Sequence, residues 1–423
     1  MRITGLNKTF DVDVNLVGSK SESNRVLMIG YYGGFKPRIT NLSSSDDTTL
    51  LKDILDTISY PSYLQKITCS NAGTVLRFLA TALSFRPGSW ILTGSDRMMQ
   101  RPVGDLVNAL RNIGADIEYM GQEGFPPLKI NGKTPVETFT ETSVSVDISR
   151  SSQFASSILL ALPIFKTDFH PALRLDGDMS SVPYIDMTID VMQKFGIDVH
   201  RDGREIFIKP SDYRDIEYTI ESDWTCASYW YEIVAFSENG RARLRNLRLD
   251  SKQGDAVVAK WFEDFGVTTV QDGNDIIIEK NNSIIKKQVS FDFIDNPDLY
   301  PTIAATCAGL GVEGRFTGLR NLVHKESDRV AAMATELSKI GTLSEKFSDN
   351  ELIINSKSVK MLSEISNVVF DSHNDHRIAM ALAPLAMKIG AIEINNAEVV
   401  SKSYPNFWKE INYSHPDVST STM

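Results

Sequence analysis

Four segments of the chain combine a helical spacing of apolar residues with two short runs in which apolar and polar residues alternate. They are "LVNALRNIGADIEYMGQEGFPPLKI", "IDVMQKFGIDVHRDGREIFIKP", "VAKWFEDFGVTTVQDGNDIIIEK" and "MATELSKIGTLSEKFSDNELIIN". The helical part of each ends at a glycine: Gly114, Gly196, Gly266 or Gly341. Glycine is common just after a helix, and "RDG", "QDG" and "SDN" favour tight turns between strands. The pattern therefore predicts a helix followed by a β-hairpin in each segment.

A second series of helices alternates with the first, and each begins with small or polar residues before turning mostly apolar. The sequences are "SESNRVLMIGYY", "NAGTVLRFLATAL", "SSQFASSILLALP", "TCASYWYEIVAF", "PDLYPTIAATCAGL" and "HNDHRIAMALAPLA". Each is followed by a predicted strand, and the starts recur roughly every 70 to 80 residues, apart from a shorter first unit without a hairpin. Six units in two groups of three predict an α/β protein of two similar domains.

The polar starts of this second series are expected to bind anions. The first N–H groups of a helix are unpaired and carry partial positive charge, which favours phosphate or carboxylate nearby. Cations recur beside these starts and beside the polar turns: Lys20, Arg25, Arg77, Arg101, Lys325, Arg329, Arg377 and Lys402. A surface ion pair is the ordinary interpretation of any one of them. Their recurrence at equivalent positions of a repeat favours anion-binding sites.

Composition narrows the class of protein. The 423 residues are 42% hydrophobic and 23% charged, as expected for two globular domains. A net charge of -10 disfavours a nucleic-acid-binding surface. The three cysteines lie far apart without CxxC spacing, which indicates buried thiols in a reducing compartment. No apolar run reaches roughly 18 residues and the first residues show no apolar signal region, so we expect a cytoplasmic protein without a membrane partner.

Several motifs have an ordinary structural interpretation beside a functional one. "GSKSESNR", from Gly18 to Arg25, suggests a phosphate loop but lacks the glycine spacing of the Walker A motif. "NAGTVLR" and "SRSSQF" place glycine or serine at helix starts, where they either bind an anion or simply cap the helix. "HKESDR" either contributes to chemistry or forms an acidic first turn that suits the helix dipole.

Two kinds of catalytic site lack support in the sequence. "HNDHR" contains His373, Asp375 and His376, but further ligands of the right kind are missing nearby, so we expect no metal site. Neither a GxSxG elbow nor a cysteine–histidine pairing predicts covalent nucleophilic catalysis.

Eight motifs in order resemble the 5-enolpyruvylshikimate-3-phosphate (EPSP) synthase family of enolpyruvyl transferases. They are "GSKSESNR", "SNAGTVLR", "DRMMQRPVG", "SSQFASSILL", "SVPYIDMT", "NLVHKESDR", "NDHRIAMA" and "SKSYPNF", and they span nearly the whole chain. The resemblance implies two inside-out α/β barrel domains, each made of three βαβαββ repeats. Residues 1–19 plus 224–423 would form a discontinuous first domain, and residues 20–223 would form an inserted second domain. The two chain crossings would form a hinge.

The resemblance also implies a reaction without cofactor or metal. The enolpyruvyl (1-carboxyvinyl) group of phosphoenolpyruvate (PEP) passes to the 5-hydroxyl of shikimate 3-phosphate, and phosphate is released, in the shikimate pathway to chorismate and aromatic amino acids. The catalytic residues implied are Lys20, Asp298, Glu326 and Lys402. Those implied for shikimate 3-phosphate are Lys20, Ser21, Arg25, Ser151, Ser152, Gln153, Ser181, Tyr184, Asp298, Asn321 and Lys325. Those implied for PEP are Lys20, Asn71, Gly73, Thr74, Arg101, Gln153, Arg329, Arg377 and Lys402.

Within that scheme Asp298 acts on the 5-hydroxyl and Glu326 on the methylene carbon of PEP, with Lys20 a further candidate for proton transfer. The exact division among these groups stays open. Gly73 followed by Thr74 matches the glyphosate-sensitive pattern of the family, so we expect inhibition by glyphosate. The chain departs from the family pattern at Phe78, where proline is common, and at 224–226, where small residues are usual.

Two alternatives accompany this interpretation. UDP-N-acetylglucosamine enolpyruvyl transferase usually carries a reactive cysteine in the loop corresponding to "GSDRMMQRPVG", which has none. A catalytically inactive relative that only binds anions would be expected to have lost some of Lys20, Asp298, Glu326 and Lys402, and all four are present. We expect a monomer that binds PEP and shikimate 3-phosphate and no nucleic acid.

Overall fold

The computed structural model describes residues 1–4, 7–58, 64–134, 143–165, 171–281, 285–355 and 367–414. The chain divides into two compact units. The terminal unit comprises Met1–Gly18, Ser44–Asp46 and Glu221–Met423, and the inserted unit comprises Ser19–Ser43 and Asp47–Ile220. The sequence-based domain boundaries after residues 19 and 223 stay a prediction, and the division between units falls after residues 18 and 220.

Helices and strands alternate through both units. The helices are α1 Lys20–Gly33, α2 Asp46–Thr57, α3 Gly73–Ser84, α4 Gly104–Asn112, α5 Gln153–Ala161, α6 Val182–Lys194, α7 Trp224–Phe236, α8 Val258–Trp261, α9 Tyr300–Leu310, α10 Arg329–Ser338, α11 His376–Leu382, α12 Ala386–Ile389 and α13 Phe407–Ser414. The strands are β1 Arg2–Ile3, β2 Thr9–Val14, β3 Arg38–Thr40, β4 Gln65–Thr68, β5 Gly88–Thr93, β6 Asp116–Tyr119, β7 Leu128–Gly132, β8 Ser143–Asp147, β9 Ala172–Asp176, β10 Asp198–Asp202, β11 Glu205–Lys209, β12 Glu217–Thr219, β13 Asn239–Leu244, β14 Val267–Asp272, β15 Asp275–Lys280, β16 Gln288–Asp292, β17 Glu313–Thr317, β18 Leu343–Ser348, β19 Glu351–Asn355, β20 Val368–Asp371 and β21 Ile392–Asn395.

Four sheets in the described residues share one arrangement. Their orders are β4-β5-β7-β6, β8-β9-β11-β10, β2-β13-β15-β14 and β16-β17-β19-β18. In each, the first two strands are parallel and the last two form an antiparallel hairpin. Two smaller sheets keep the parallel pair, as β3-β12 and β20-β21, with β1 added antiparallel to β21. The predicted repeat is confirmed, including the four hairpins and the first unit that lacks one.

The glycines at the ends of the predicted helices all adopt the left-handed conformation. Their φ angles are 91° at Gly114, 91° at Gly196, 77° at Gly266 and 81° at Gly341. A side chain at such a φ would clash with the backbone, so glycine allows each helix to end and the hairpin to begin.

One predicted helix is shorter than expected. The segment from Val258 forms a single α-turn, α8, between 3₁₀ turns at Gly254–Val257 and Phe262–Phe265. Phe262 and Phe265 are both fully buried. In a 3₁₀ turn, residues three apart lie on the same side, so the tighter turn directs both rings into the core.

Each unit has its own apolar core built around helices. All residues of α7 are buried, whereas β19 alternates buried and half-exposed positions until its end. The strands therefore present one face to the helices and the other to solvent, as the inside-out arrangement requires. Separate clusters of buried side chains fill the terminal unit and the inserted unit.

Candidate functional site

The residues implied by the resemblance are divided between the two units, and the set in each unit is named here as a cluster. The terminal cluster consists of Asp298, Asn321, Lys325, Glu326, Arg329, Arg377 and Lys402. The inserted cluster consists of Lys20, Ser21, Arg25, Asn71, Gly73, Thr74, Arg101, Ser151, Ser152, Gln153, Ser181 and Tyr184. Many of these residues lie at or just before the start of a helix, where free N–H groups are available.

Arg329, at the first position of α10, is the centre of the terminal cluster. Its side chain is 1% exposed and it donates to Asp375 at 2.8 Å, Asp298 at 2.6 Å and Glu326 at 3.0 Å. Burial on its own would lower the pKa of this guanidinium, but the three carboxylates together raise it above its ordinary value. Arg329 therefore stays charged and holds three acidic groups around one point.

Asp298 lies between two arginines. It is the middle residue of a 3₁₀ turn, Pro297–Leu299, that leads directly into α9. One oxygen accepts from Arg329, and the other accepts from Arg377 Nη2 at 2.7 Å. The Lys325 Nζ lies 4.0 Å from Asp298 Oδ1. Two guanidinium groups thus fix the orientation of this carboxylate.

Glu326 joins Arg329 to a lysine. Its Oε2 accepts from Arg329, and its Oε1 lies 2.9 Å from Lys402 Nζ. Lys402 is the last residue of the 3₁₀ segment Ala397–Lys402, and only 12% of its side chain is exposed. Asn321 lies in another 3₁₀ segment, Arg320–His324, just before the "HKESDR" motif. Glu326 and Asp298 are therefore linked through one shared cation.

Asp375 is a member of this network that sequence reasoning did not assign. It is fully buried and caps α11, accepting from the Arg377 backbone N at 3.0 Å while also binding Arg329. Ser327 Oγ donates to the same carboxylate at 3.2 Å. The "HNDHR" motif gave a helix-start signal for this residue, but its arginine partner lies 46 residues away in sequence.

In the inserted cluster, the opening of α1 is fixed by two side chains. Ser19 caps the helix by accepting from the Glu22 backbone N at 3.4 Å. Lys20 Nζ lies 3.3 Å from Asp47 Oδ2, and both side chains are largely buried. Asp47 was not among the predicted residues, and only the "SSDD" helix start at α2 marked it in the sequence.

Arg25 is buried and held by neutral acceptors. It donates to Thr188 Oγ1 at 2.7 Å, the Ser21 carbonyl at 2.7 Å, Ser156 Oγ at 3.0 Å and the Tyr184 carbonyl at 2.9 Å. Burial lowers its pKa to about 10, so it remains charged at neutral pH. These bonds join α1 to α5 and α6 and fix the backbone at two of the other predicted binding residues.

The ring of Phe78 lies beneath this arginine. The Arg25 Cζ is 5.8 Å from the ring centroid, within the range of a cation–π contact. Phe78 is fully buried on α3. The departure from the family pattern at this position therefore touches a predicted binding residue directly.

The starts of α3 and α5 meet through an amide. Gln153 Oε1 accepts from Arg77 Nη1 at 2.6 Å, and its Nε2 donates to Thr74 Oγ1 at 2.9 Å. Gly73 packs against the guanidinium of Arg101, because a Cβ added at Gly73 would lie 2.7 Å from Arg101 Nη1. Glycine at this position gives Arg101 its place beside the first turn of α3.

Serines precede α5 and α6. Ser151 Oγ accepts from the Gln153 backbone N at 3.3 Å, and Ser152 is the residue just before α5. Ser181 precedes α6 with a φ of 55°, a left-handed conformation that is uncommon for serine. Asn71 lies in the turn before α3, two residues ahead of Gly73. These groups offer hydroxyl, amide and backbone donors beside the charged groups.

The second departure from the family pattern lies at the start of α7. Thr225 Oγ1 donates to the buried Asp255, and the Cys226 backbone N donates to Asp223 at 3.0 Å.

In the described residues no group of three or more His, Cys, Asp or Glu side chains is arranged to hold a metal ion. None of the helices in that part of the chain is long and apolar enough to cross a membrane.

The family model and the curated relatives point to one family. The family model for EPSP synthase (3-phosphoshikimate 1-carboxyvinyltransferase) matches residues 7–411. A 3-phosphoshikimate 1-carboxyvinyltransferase of Bacteroides fragilis (strain YCH46) is 38% identical over 399 residues, covering 94% of each chain. That of Vibrio atlanticus (strain LGP32) is 34% identical, covering 94% of this chain and 96% of the relative. The solved EPSP synthase from Acinetobacter baumannii covers 100% of both chains with a TM-score of 0.75 and 22% identity, which shows the same fold.

Proposed function

The chain belongs to the EPSP synthase family, and we propose that the proton-transfer carboxylates of its reaction are Asp298 and Glu326 in the terminal cluster. It is an enolpyruvyl transferase. The group transferred comes from PEP, the acceptor is the 5-hydroxyl of shikimate 3-phosphate, and phosphate leaves. In the addition step a proton is added to the methylene carbon of PEP and another is removed from the hydroxyl. In the elimination step a proton is removed from the same carbon as phosphate departs.

The observation that carries the assignment is the pair of carboxylates held by Arg329. Asp298 and Glu326 bind the same guanidinium at 2.6 Å and 3.0 Å. Their side chains are only 16% and 9% exposed. Asp298 is the base for the 5-hydroxyl, because its two oxygens are oriented by Arg329 and Arg377. Glu326 gives a proton to the methylene carbon and later takes one back. The positive charge of Lys402, 2.9 Å away, stabilises the ionised form of Glu326 once that proton has been transferred to the carbon.

The inserted cluster supplies mainly binding groups. Shikimate 3-phosphate carries a phosphate, a carboxylate and hydroxyls, which match the serine hydroxyls and helix starts of this cluster. Arg25 acts on it in part by fixing Ser21 and Tyr184. Lys20 and Arg101 bind the anionic groups of PEP, with Gly73 leaving room for the guanidinium.

The decisive experiment measures phosphate release from purified protein given PEP and shikimate 3-phosphate, with the enolpyruvyl product identified by mass spectrometry. Glu326→Ala and Asp298→Ala are expected to lose turnover. Asp250→Ala, which removes an exposed aspartate paired with Arg248, is the matched control and should retain it. Wild-type protein that forms no product from these substrates would contradict the proposed function.

We propose further that the protein is a monomer and that it acts in the cytoplasm. Light scattering after size-exclusion chromatography should give the mass of a single chain, with and without substrates. A larger mass whose dissociation abolishes activity would contradict the monomer. Cell fractionation should place the activity in the cytosolic fraction.

A further inference from the structure

We propose that Asp255 is a positioning residue for the catalytic base Asp298, acting through Asn296 and through its own charge. The inference rests on the proposed function, since it concerns the group that takes the proton of the 5-hydroxyl. Asp255 belongs to none of the sets of residues that the family resemblance implies.

Asp255 is a buried acid with specific partners. It lies in the 3₁₀ turn Gly254–Val257 and is 3% exposed. Oδ2 accepts a short hydrogen bond from Thr225 Oγ1, and Oδ1 accepts from Asn296 Nδ2 at 3.4 Å. A buried carboxylate is costly unless it is hydrogen-bonded, and no apolar packing requirement explains an acid here.

Asn296 connects Asp255 to the catalytic turn. Its backbone N donates to the Phe293 carbonyl at 3.2 Å, and its own carbonyl accepts from the Leu299 backbone N at 3.1 Å. Asn296 therefore opens the turn that carries Asp298. By holding the side chain of Asn296, Asp255 fixes the start of this turn and thus the direction in which Asp298 meets its two arginines.

Charge provides the second link. In the part of the chain that the structure describes, the charged groups that act most strongly on Asp255 are Asp298 from the catalytic turn, Arg377 on α11 and Asp223 at the start of α7. Burial first, and then the negative charge of Asp298, raise the pKa of Asp255 to about 6. Above that pH the charge of Asp255 favours proton uptake by Asp298 and offsets the two arginines. Below it, Asp255 takes up a proton and this effect is lost.

The test is Asp255→Asn in the full-length enzyme, because asparagine keeps the shape and removes the charge. Steady-state rates are measured for both substrates from about pH 5 to about pH 9. At neutral pH we expect kcat to fall about tenfold or more while both KM values stay within about twofold. The acidic limb that Asp255 contributes near pH 6 should disappear from the profile of kcat.

A thermal unfolding measurement separates this role from a structural one. Since the folded protein raises the pKa of Asp255, its ionised form costs stability at neutral pH, and Asp255→Asn should leave Tm unchanged or raise it. Asn296→Ala removes the tether and keeps the charge, so it should lower kcat and retain the acidic limb. Asp250→Asn is the exposed control and should change neither quantity.

Each of three results would overturn the proposal. One is Asp255→Asn with the kcat and acidic limb of the wild type, and another is Asn296→Ala with unchanged kcat. If Asp255→Asn fails to fold, Asp255 is structural and the proposal is wrong. Turnover of PEP and shikimate 3-phosphate by the wild type tests the proposed function separately. If the wild type turns over both substrates, any of these results contradicts only the role of Asp255.

Discussion

The two clusters hold buried cations in different ways. In the terminal cluster the guanidinium of Arg329 meets three carboxylates, and Arg377 binds one of them. In the inserted cluster Arg25 meets two backbone carbonyls and two hydroxyls, with no carboxylate among its hydrogen-bond acceptors in the described residues. Lys20, which belongs to the same cluster, pairs with an acid, Asp47.

This difference suits different tasks. Charge pairs bring acids close to cations, so the protonation of each acid depends on its neighbours, which suits proton transfer. A cation satisfied by neutral groups keeps its positive charge available to the surroundings, which suits the binding of anions. The terminal cluster should therefore govern turnover, and the inserted cluster, apart from Lys20, should govern substrate affinity.

The largest expected effect is on turnover, from the carboxylates that share Arg329. Asp298→Asn and Glu326→Gln should each lower kcat by about 10² to 10⁴, because each removes a group that exchanges a proton. Binding of shikimate 3-phosphate, measured by calorimetry, should weaken far less than turnover does. Glu263→Gln, an exposed acid of the same unit, is the control. A loss of affinity as large as the loss of kcat would show that these acids only shape the binding site.

The next effect separates the two cations at the start of α1. Arg25→Ala should raise KM for shikimate 3-phosphate by about ten- to a hundredfold, since hydrogen bonds to a charged group contribute about 1.5 to 3 kcal/mol. Lys20→Ala should chiefly impair PEP use and kcat. Lys36→Ala removes a lysine of an exposed ion pair and should change neither. Equal effects of both substitutions on both substrates would contradict this division.

A smaller effect is expected at Gly73. Gly73→Ala places a Cβ less than 3 Å from the end of the Arg101 side chain, which can move away at modest cost. KM for PEP should rise about three- to tenfold, and the inhibition constant of glyphosate should rise more than KM does. Gly121→Ala, where the nearest atom would lie 3.7 Å away, is the control. The wild type should be sensitive, so a glyphosate inhibition constant far above KM for PEP would contradict the prediction.

The sequence predicted the elements of the fold because they depend on local signals. Glycines such as Gly114 mark helix ends through a conformation that other residues avoid, and alternation marks the hairpins that follow. The sequence did not predict the 3₁₀ turns around α8, because they depend on the burial of Phe262 and Phe265 against residues distant in the chain. Local pattern thus gave the order of the elements, and packing decided their length.

In the candidate site, the cations could be predicted from the sequence more readily than the acids that pair with them. Arg329 and Lys20 lie beside helix starts at equivalent positions of a repeat, which indicates anion binding. Asp47 and Asp255 were not singled out in the sequence, and Asp375 was considered only as a metal ligand, because their partners are distant in the sequence or lie on another helix. The contact between Gly73 and Arg101 likewise leaves no signal in the sequence, because the two residues lie on separate segments.

The smallest expected effect tests whether the ring of Phe78 helps to hold Arg25. Phe78→Leu should destabilise the protein by about 1 to 2 kcal/mol, mainly through lost packing in the core. A double-mutant cycle with Arg25→Met, read by urea unfolding, isolates the cation–π coupling, which should be about 0.5 to 1 kcal/mol. The hydrogen bonds of Arg25 remain in Phe78→Leu, so KM for shikimate 3-phosphate should stay within about twofold. A coupling near zero would mean that neutral hydrogen bonds alone stabilise this buried cation, and a large rise in KM would mean that the ring positions the arginine for binding.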